Sequence, residues 1–234
     1  MLKKDLILQN PLGFMQSVTE DILPQGGFGA VLARAGVGKT ALLVQLALNT
    51  MLREKNVLHI SLNDPVNKVS LWYKELFSNL TLSHDRNQTK TLWESLLTRR
   101  FIMTFKTEGF SVPKLEERLT DLMEQGIFTP HMLLIDGLPF EEPAALGTLD
   151  ALKALIRNHG MHIWFTVRTR RQESDSPEGL PPSFAAVADL FEIALELKPE
   201  GKNIHLKALK GAVKVAEHPT LVLDPATLLV RDSA

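Results

Sequence analysis

The sequence predicts an α/β domain whose sheet is mostly parallel, with helices on both faces and an antiparallel extension at its C-terminal end. Three observations carry that expectation. Residues 28–32 are a short apolar run, and after a glycine-bearing turn residues 41–48 are rich in helix formers. Apolar runs and amphipathic stretches then alternate as far as Val167. From Ala188 onward only strand-like pieces joined by turns remain. Strands that alternate with helices build a parallel sheet, and a closing run of strands adds antiparallel pairs.

The elements follow in order. Residues 1–27 form an opening segment that ends at the turn signal Pro24-Gln25-Gly26-Gly27. The first strand leads through its turn into a helix ending near Arg53. Residues 56–62 read as a second strand, which Asn63-Asp64-Pro65 stops. Over residues 66–80, Val69, Trp72, Tyr73, Leu76 and Phe77 recur at helical spacing. The polar stretch 81–90 reads as a loop and 91–98 as a further helix. A third strand is expected at 100–105 and an amphipathic helix at 112–125, with Leu115, Leu119, Leu122 and Met123 on one face. Residues 132–136 are a short apolar strand ending in Asp136, 146–157 a helix, and 161–167 a buried-type strand. Residues 169–183 hold Arg170, Arg171, several acids and three prolines, the composition of a mobile loop. Strands are expected at 188–197, 203–209 and 220–223, making 188–234 a C-terminal β extension of one domain spanning 1–234.

Composition sets limits. A length of 234 residues with 44% hydrophobic content is enough for one sizeable core. A net charge of −1 leaves no overall electrostatic footprint for nucleic acid or an anionic membrane. No cysteine is present, so disulfides and thiolate metal sites are excluded. The N-terminus turns polar at Gln9 and Asn10, too soon for a secretory segment, and no apolar run nears the roughly 20 residues that span a bilayer. A cytoplasmic protein without a membrane partner is the expectation.

The chemistry is concentrated in Ala33-Arg34-Ala35-Gly36-Val37-Gly38-Lys39-Thr40, followed by Ala41. This is a phosphate-binding loop of the form G-x-x-x-x-G-K-[ST], with Ala33 at the first glycine position. Its backbone N–H groups wrap a β-phosphate, Lys39 reaches the β- and γ-phosphates, and the Thr40 hydroxyl ligates Mg²⁺. Gly36 and Gly38 permit the backbone angles and the close phosphate approach that side chains would block. The helix that follows adds its positive N-terminal end. The loop lies between a strand and a helix, as the chemistry requires, so ATP and Mg²⁺ are the expected cofactors.

Phosphoryl transfer needs a second carboxylate near the metal, and Asp136 at the carboxyl end of an apolar strand is placed for it. That end of a parallel sheet is where the ligand crevice opens. Two other strand ends should open there too. Asp64 can orient water as a base, whereas Asn63 can only hydrogen-bond it. Arg168 can sense the γ-phosphate. Asn-Asp-Pro is also an ordinary turn sequence with no catalytic meaning of its own.

Together these residues resemble the RecA superfamily of P-loop ATPases, nearest in pattern to its KaiC and DnaB-type branch. Asn10-Pro11-Leu12-Gly13-Phe14 and Leu23-Pro24-Gln25-Gly26-Gly27, followed by the loop and helix to Leu48, resemble that branch's approach to its phosphate loop. Leu133-Leu134-Ile135-Asp136 resembles its second acidic motif. Ala188-Asp189 resembles the start of its strand after the mobile loop, and His205 to Gly211 its strand of basic residues. The resemblance implies a RecA-like P-loop NTPase fold and ATP hydrolysis used as a motor or conformational switch. It also implies a hexamer or filament in which Lys207 and Lys210 reach a neighbour's nucleotide. The family usually places a glutamate after the second strand to activate water; this chain has Asn63, then Asp64. Its basic strand commonly carries Lys and Arg two apart before a glycine, where this chain has Ala208 and Lys210. Lysine lacks arginine's bidentate fork.

Three functions therefore compete: an ATP-hydrolysing motor or switch, a nucleotide-binding regulatory or scaffolding protein with little turnover, and an accessory to DNA recombination or repair. The third draws on Arg168, Arg170 and Arg171, but Glu173, Asp175 and Glu178 follow closely and no aromatic interleaves the arginines for base stacking. The seven histidines are scattered, and Gly160 between His159 and His162 argues for a turn rather than a metal-binding helix, so no zinc site is expected. Trp72, Trp93 and Trp164 are expected in the core or an interface.

Overall fold

The structure, a computed structural model, describes residues 2–8, 21–170, 180–211 and 221–232. Residues 10–14, Arg171, the acids Glu173, Asp175 and Glu178, and Thr220 lie outside the described residues.

Among the described residues, six strands lie parallel: β1 (Phe28–Ala33), β2 (Val57–Ser61), β3 (Arg100–Thr104), β4 (Met132–Asp136), β5 (His162–Arg168) and β6 (Ile193–Glu200). Then β7 (Asn203–Lys210), β8 (Leu221–Leu223) and β9 (Val230–Asp232) continue the same sheet antiparallel. The strand order is β3-β2-β4-β5-β1-β6-β7-β8-β9. This is the mostly parallel sheet with an antiparallel extension that the sequence pattern predicts.

Helices α1 (Leu2–Leu8), α2 (Lys39–Leu52), α3 (Val66–Leu80) and α4 (Arg86–Leu97) cover one face. On the other lie α5 (Val112–Glu124), α6 (Ala145–His159) and α7 (Pro182–Ala185). Side chains along a strand point alternately to its two faces. Val31, Leu134 and Trp164 accordingly pack with the first group, and Ala30, Leu32, Ile135 and Phe165 with the second. Burial on both sides is why the parallel strands read as continuous apolar runs. Trp164 is fully in the core, while Trp72 and Trp93 are partly buried against it.

Several elements differ from the sequence expectation, among them α7, which starts at Pro182 inside the stretch expected as a loop. The stretch 81–90 is not all loop: α4 starts at Arg86 because the Asp85 carboxylate accepts from the N–H groups of Asn87 and Gln88. The polar run is the exposed side of that helix. The strand expected at 188–197 begins only at Ile193 and runs to Glu200; Ala188–Leu190 form a 3-10 turn. Helix α1, which buries Leu2 and Leu6, and strand β9, which buries Val230, were absent from the sequence expectation. Both are too short to show a period.

Parallel register brings the site together. Ser61 lies beside Thr104 on one side and Asp136 on the other, while Ala33 lies beside Arg168. The carboxyl ends of β1, β2, β4 and β5 therefore end at one edge.

Candidate functional site

The loop after β1 is shaped by glycine. Gly38, just before α2, sits at φ 112, and a Cβ there would come 2.5 Å from Leu223 Cδ2. Gly36 at φ 78 makes the preceding turn. No side chain caps the N-terminus of α2. Its first N–H groups are thus left for an anion, with the helix dipole behind them. Lys39 folds back over the loop, its Nζ donating to the carbonyls of Ala33 at 2.9 Å and Arg34 at 3.0 Å. Burial lowers the pKa of its ammonium, Asp136 opposes that shift, and Arg168 adds to it.

Asp136 is the hub of the site. Thr40 Oγ1 donates to one of its oxygens at 2.7 Å and Thr166 Oγ1 to the other at 2.6 Å. Thr166 in turn accepts from the Gly137 N–H at 3.0 Å, which fixes the start of the loop after β4. Thr40 and Asp136 therefore present adjacent oxygen donors, the kind of ligand a hard cation such as Mg²⁺ takes. Arg168 stands exposed at the tip of β5.

Lys39, Asp136, Thr166 and Arg168 line a cleft of about 700 Å³ that also takes in Asn63, Glu141 and Arg170. Asn63 packs against Gly137, where a Cβ would come 2.1 Å from its Nδ2. Its Oδ1 lies 3.4 Å from the Thr107 hydroxyl. Asp64 is placed differently from the sequence expectation. Its carboxylate pairs with Lys68 at 2.8 Å, one helical turn on, and it is not among the residues lining the cleft. The structural reason is local: the Asp64 N–H donates to Ser61 Oγ at 3.0 Å, a turn that faces Asn63 into the cleft and Asp64 toward α3.

Sequence reasoning missed Glu141 and Thr166. Arg170, on the loop after β5, makes a two-pronged ion pair with Glu141, on the loop after β4. The guanidinium holds the Glu141 carboxyl below the usual carboxylate range. Thr166 had a signal: it is the polar residue within the apolar run Ile163-Trp164-Phe165-Thr166-Val167. Lys207 and Lys210 lie outside the cleft. Lys207 pairs with Glu200 at 2.5 Å, and Lys210 Nζ donates to the Ala188 carbonyl at 2.8 Å.

An AAA domain family matches residues 8–174. No curated protein matches the chain. Among solved structures, one described as an ATPase domain superposes with a TM-score of 0.59 at 17% identity, covering 81% of this chain and 78% of that one. That likeness concerns the fold, which is RecA-like. Family and fold together make the cleft that of a nucleotide-binding P-loop ATPase domain. Among the described residues, no helix is long and apolar enough to cross a membrane.

Proposed function

We propose that this chain, which belongs to the AAA domain family, binds ATP with Mg²⁺ and acts as a nucleotide-gated switch whose own hydrolysis is slow. The observation that carries this reading is the end of β2. Asn63 lines the cleft there, and the acid next to it, Asp64, is committed to Lys68. An amide can hydrogen-bond a water but cannot take its proton. A positioned general base is worth typically 10²–10⁴-fold in rate.

The binding half of the site is intact. In this reading the loop amides of residues 34–40 cradle the β-phosphate and Lys39 moves from the Ala33 and Arg34 carbonyls to the β- and γ-phosphates. Thr40 and Asp136 would hold Mg²⁺, with Thr166 orienting the carboxylate from behind. The ion would supply charge neutralisation at the β- and γ-oxygens. Arg168 would sense the γ-phosphate. Drawing Arg168 and Arg170 toward that phosphate would loosen the Arg170–Glu141 pair and shift the loop after β5 against the loop after β4, the usual manner of a γ-phosphate switch. If copies assemble as a hexamer or filament, Lys207 and Lys210 on β7 would serve a neighbour's nucleotide. The DNA reading is weaker here, because Arg168 lines the nucleotide cleft and Arg170 holds Glu141.

The test is nucleotide binding and steady-state hydrolysis of the wild type beside Asn63→Glu. The expected result is Mg²⁺-dependent ATP binding by both, slow turnover by the wild type, and a gain on the order of 10²-fold in the variant. Wild-type turnover in the ordinary enzyme range, roughly 1–10³ s⁻¹, overturns the switch in favour of a motor.

A further inference from the structure

We propose that Asp21, His131 and His162 form a binding site for one transition-metal ion, zinc fitting best, at the end of the sheet opposite the nucleotide cleft. The three residues come from separate segments. Asp21 precedes β1, His131 stands immediately before β4, and His162 is the first residue of β5. Strands β4 and β5 are parallel neighbours with Met132 beside His162, so the two imidazoles arrive at the same edge. Each residue offers one ligand atom, and these atoms all lie within 4.8 Å of one another.

The details favour an ion. Asp21 Oδ2 and His131 Nε2 share a 2.6 Å hydrogen bond, whose proton an ion would replace while spreading the two atoms to about 3.3 Å. The two rings stand 5.2 Å apart between centroids at an interplanar angle of 88°. Two imidazoles on one tetrahedral zinc, with Zn–N near 2.0–2.1 Å, place their centroids about 5.2 Å apart as well. His162 is 3% exposed, and its ring packs edge-on against that of His131. Two nitrogens and one carboxylate oxygen suit zinc, cobalt or nickel over Mg²⁺ or Ca²⁺, and three protein ligands leave a fourth position for water.

Lys55 completes the arrangement. Its Nζ reaches both Asp21 oxygens, at 2.8 and 2.7 Å. It can stay on Oδ1 while Oδ2 turns to the ion, as outer-layer partners of ligating carboxylates do. Its charge opposes a dication, so the ion is held less tightly than the ligands alone would hold it. Such an ion would fasten the approach to β1 onto β4 and β5, away from the phosphates. Nothing in this inference depends on the nucleotide reading.

The test uses the untagged full chain without nucleotide and Co²⁺ as the spectroscopic probe. The expected result is one equivalent of Co²⁺ with the visible bands of a tetrahedral site, displaced by Zn²⁺. His131→Gln and Asp21→Asn should each weaken binding at least about tenfold, Lys55→Met should tighten it, and Lys39→Ala should leave it unchanged. His131 is half-buried, so its variant carries the test even where His162→Gln fails to fold. No bands with the wild type, the same affinity in His131→Gln and Asp21→Asn, or loss of the bands in Lys39→Ala overturns the site.

Discussion

The two ends of the parallel sheet are built on different plans. At the carboxyl end, the contiguous loop from Ala33 to Thr40 meets Asp136 and Thr166, which come from neighbouring strands. At the amino end, Asp21 and His131 meet at 2.6 Å although 110 positions apart, and His162 joins them from the next strand. A phosphate is gripped mainly by consecutive backbone N–H groups, so its site must be a local stretch of chain. A side-chain cluster has no such requirement and takes whatever residues folding brings together.

The largest test of that contrast is Lys39→Ala. Removing a charge-assisted contact of roughly 1.5–3 kcal/mol should lower ATP affinity by about 10- to 10²-fold. The cobalt spectrum of the amino end should not change. A variant that lost both would overturn a separate site at the amino end. Gly137→Ala comes next. Its backbone sits at φ 96 and its Cβ would strike Asn63. A destabilisation of about 2 kcal/mol is expected, together with weaker ATP binding, because the shift would displace Asn63 and the Thr166 contact. Thermal melting and nucleotide titration on one preparation would separate these effects.

A smaller effect lies between the ends. His59, on β2, shares a 3.0 Å hydrogen bond with the Tyr73 hydroxyl, and its Nε2 has no partner among the described residues. Burial holds its pKa down to about 4 from 6.5. The unfolded chain takes up this proton below about pH 6.5 and the fold does not. Its contribution is therefore complete above that pH and falls as pH drops toward 4, by about 1.4 kcal/mol per unit. Denaturant melts between pH 7 and 5 should show a slope that His59→Gln flattens. The smallest effect belongs to Lys55→Met, which removes a partly exposed pair with Asp21. A loss of about 1 kcal/mol or less is expected without metal, with ATP binding unchanged.

Much of the fold was readable in the chain because burial on both sheet faces writes itself as apolar runs. Helix α3 and strand β4 fall where their patterns end. The failures also have causes. A cap at Asp85 turned an expected loop into the first turn of α4. At 188–197, apolar residues serving a 3-10 turn were indistinguishable from a strand. Within the cleft, Lys39, Asp136 and Arg168 lie where the sequence pattern expects them, whereas the pattern left open which of Asn63 and Asp64 faces it. Asp64 is held by its N–H bond to Ser61 and its ion pair with Lys68, contacts that no sequence pattern shows.

By itself, then, the sequence determined the sheet, its helices and the phosphate loop, since each follows from local periodicity or from a run of neighbouring residues. Only the tertiary structure decided that Asn63 rather than Asp64 faces the cleft, that Glu141 is held by Arg170, and that Asp21, His131 and His162 share one corner. Those are distances between side chains remote in the chain or turned by a single backbone bond. Periodicity carries no information about either.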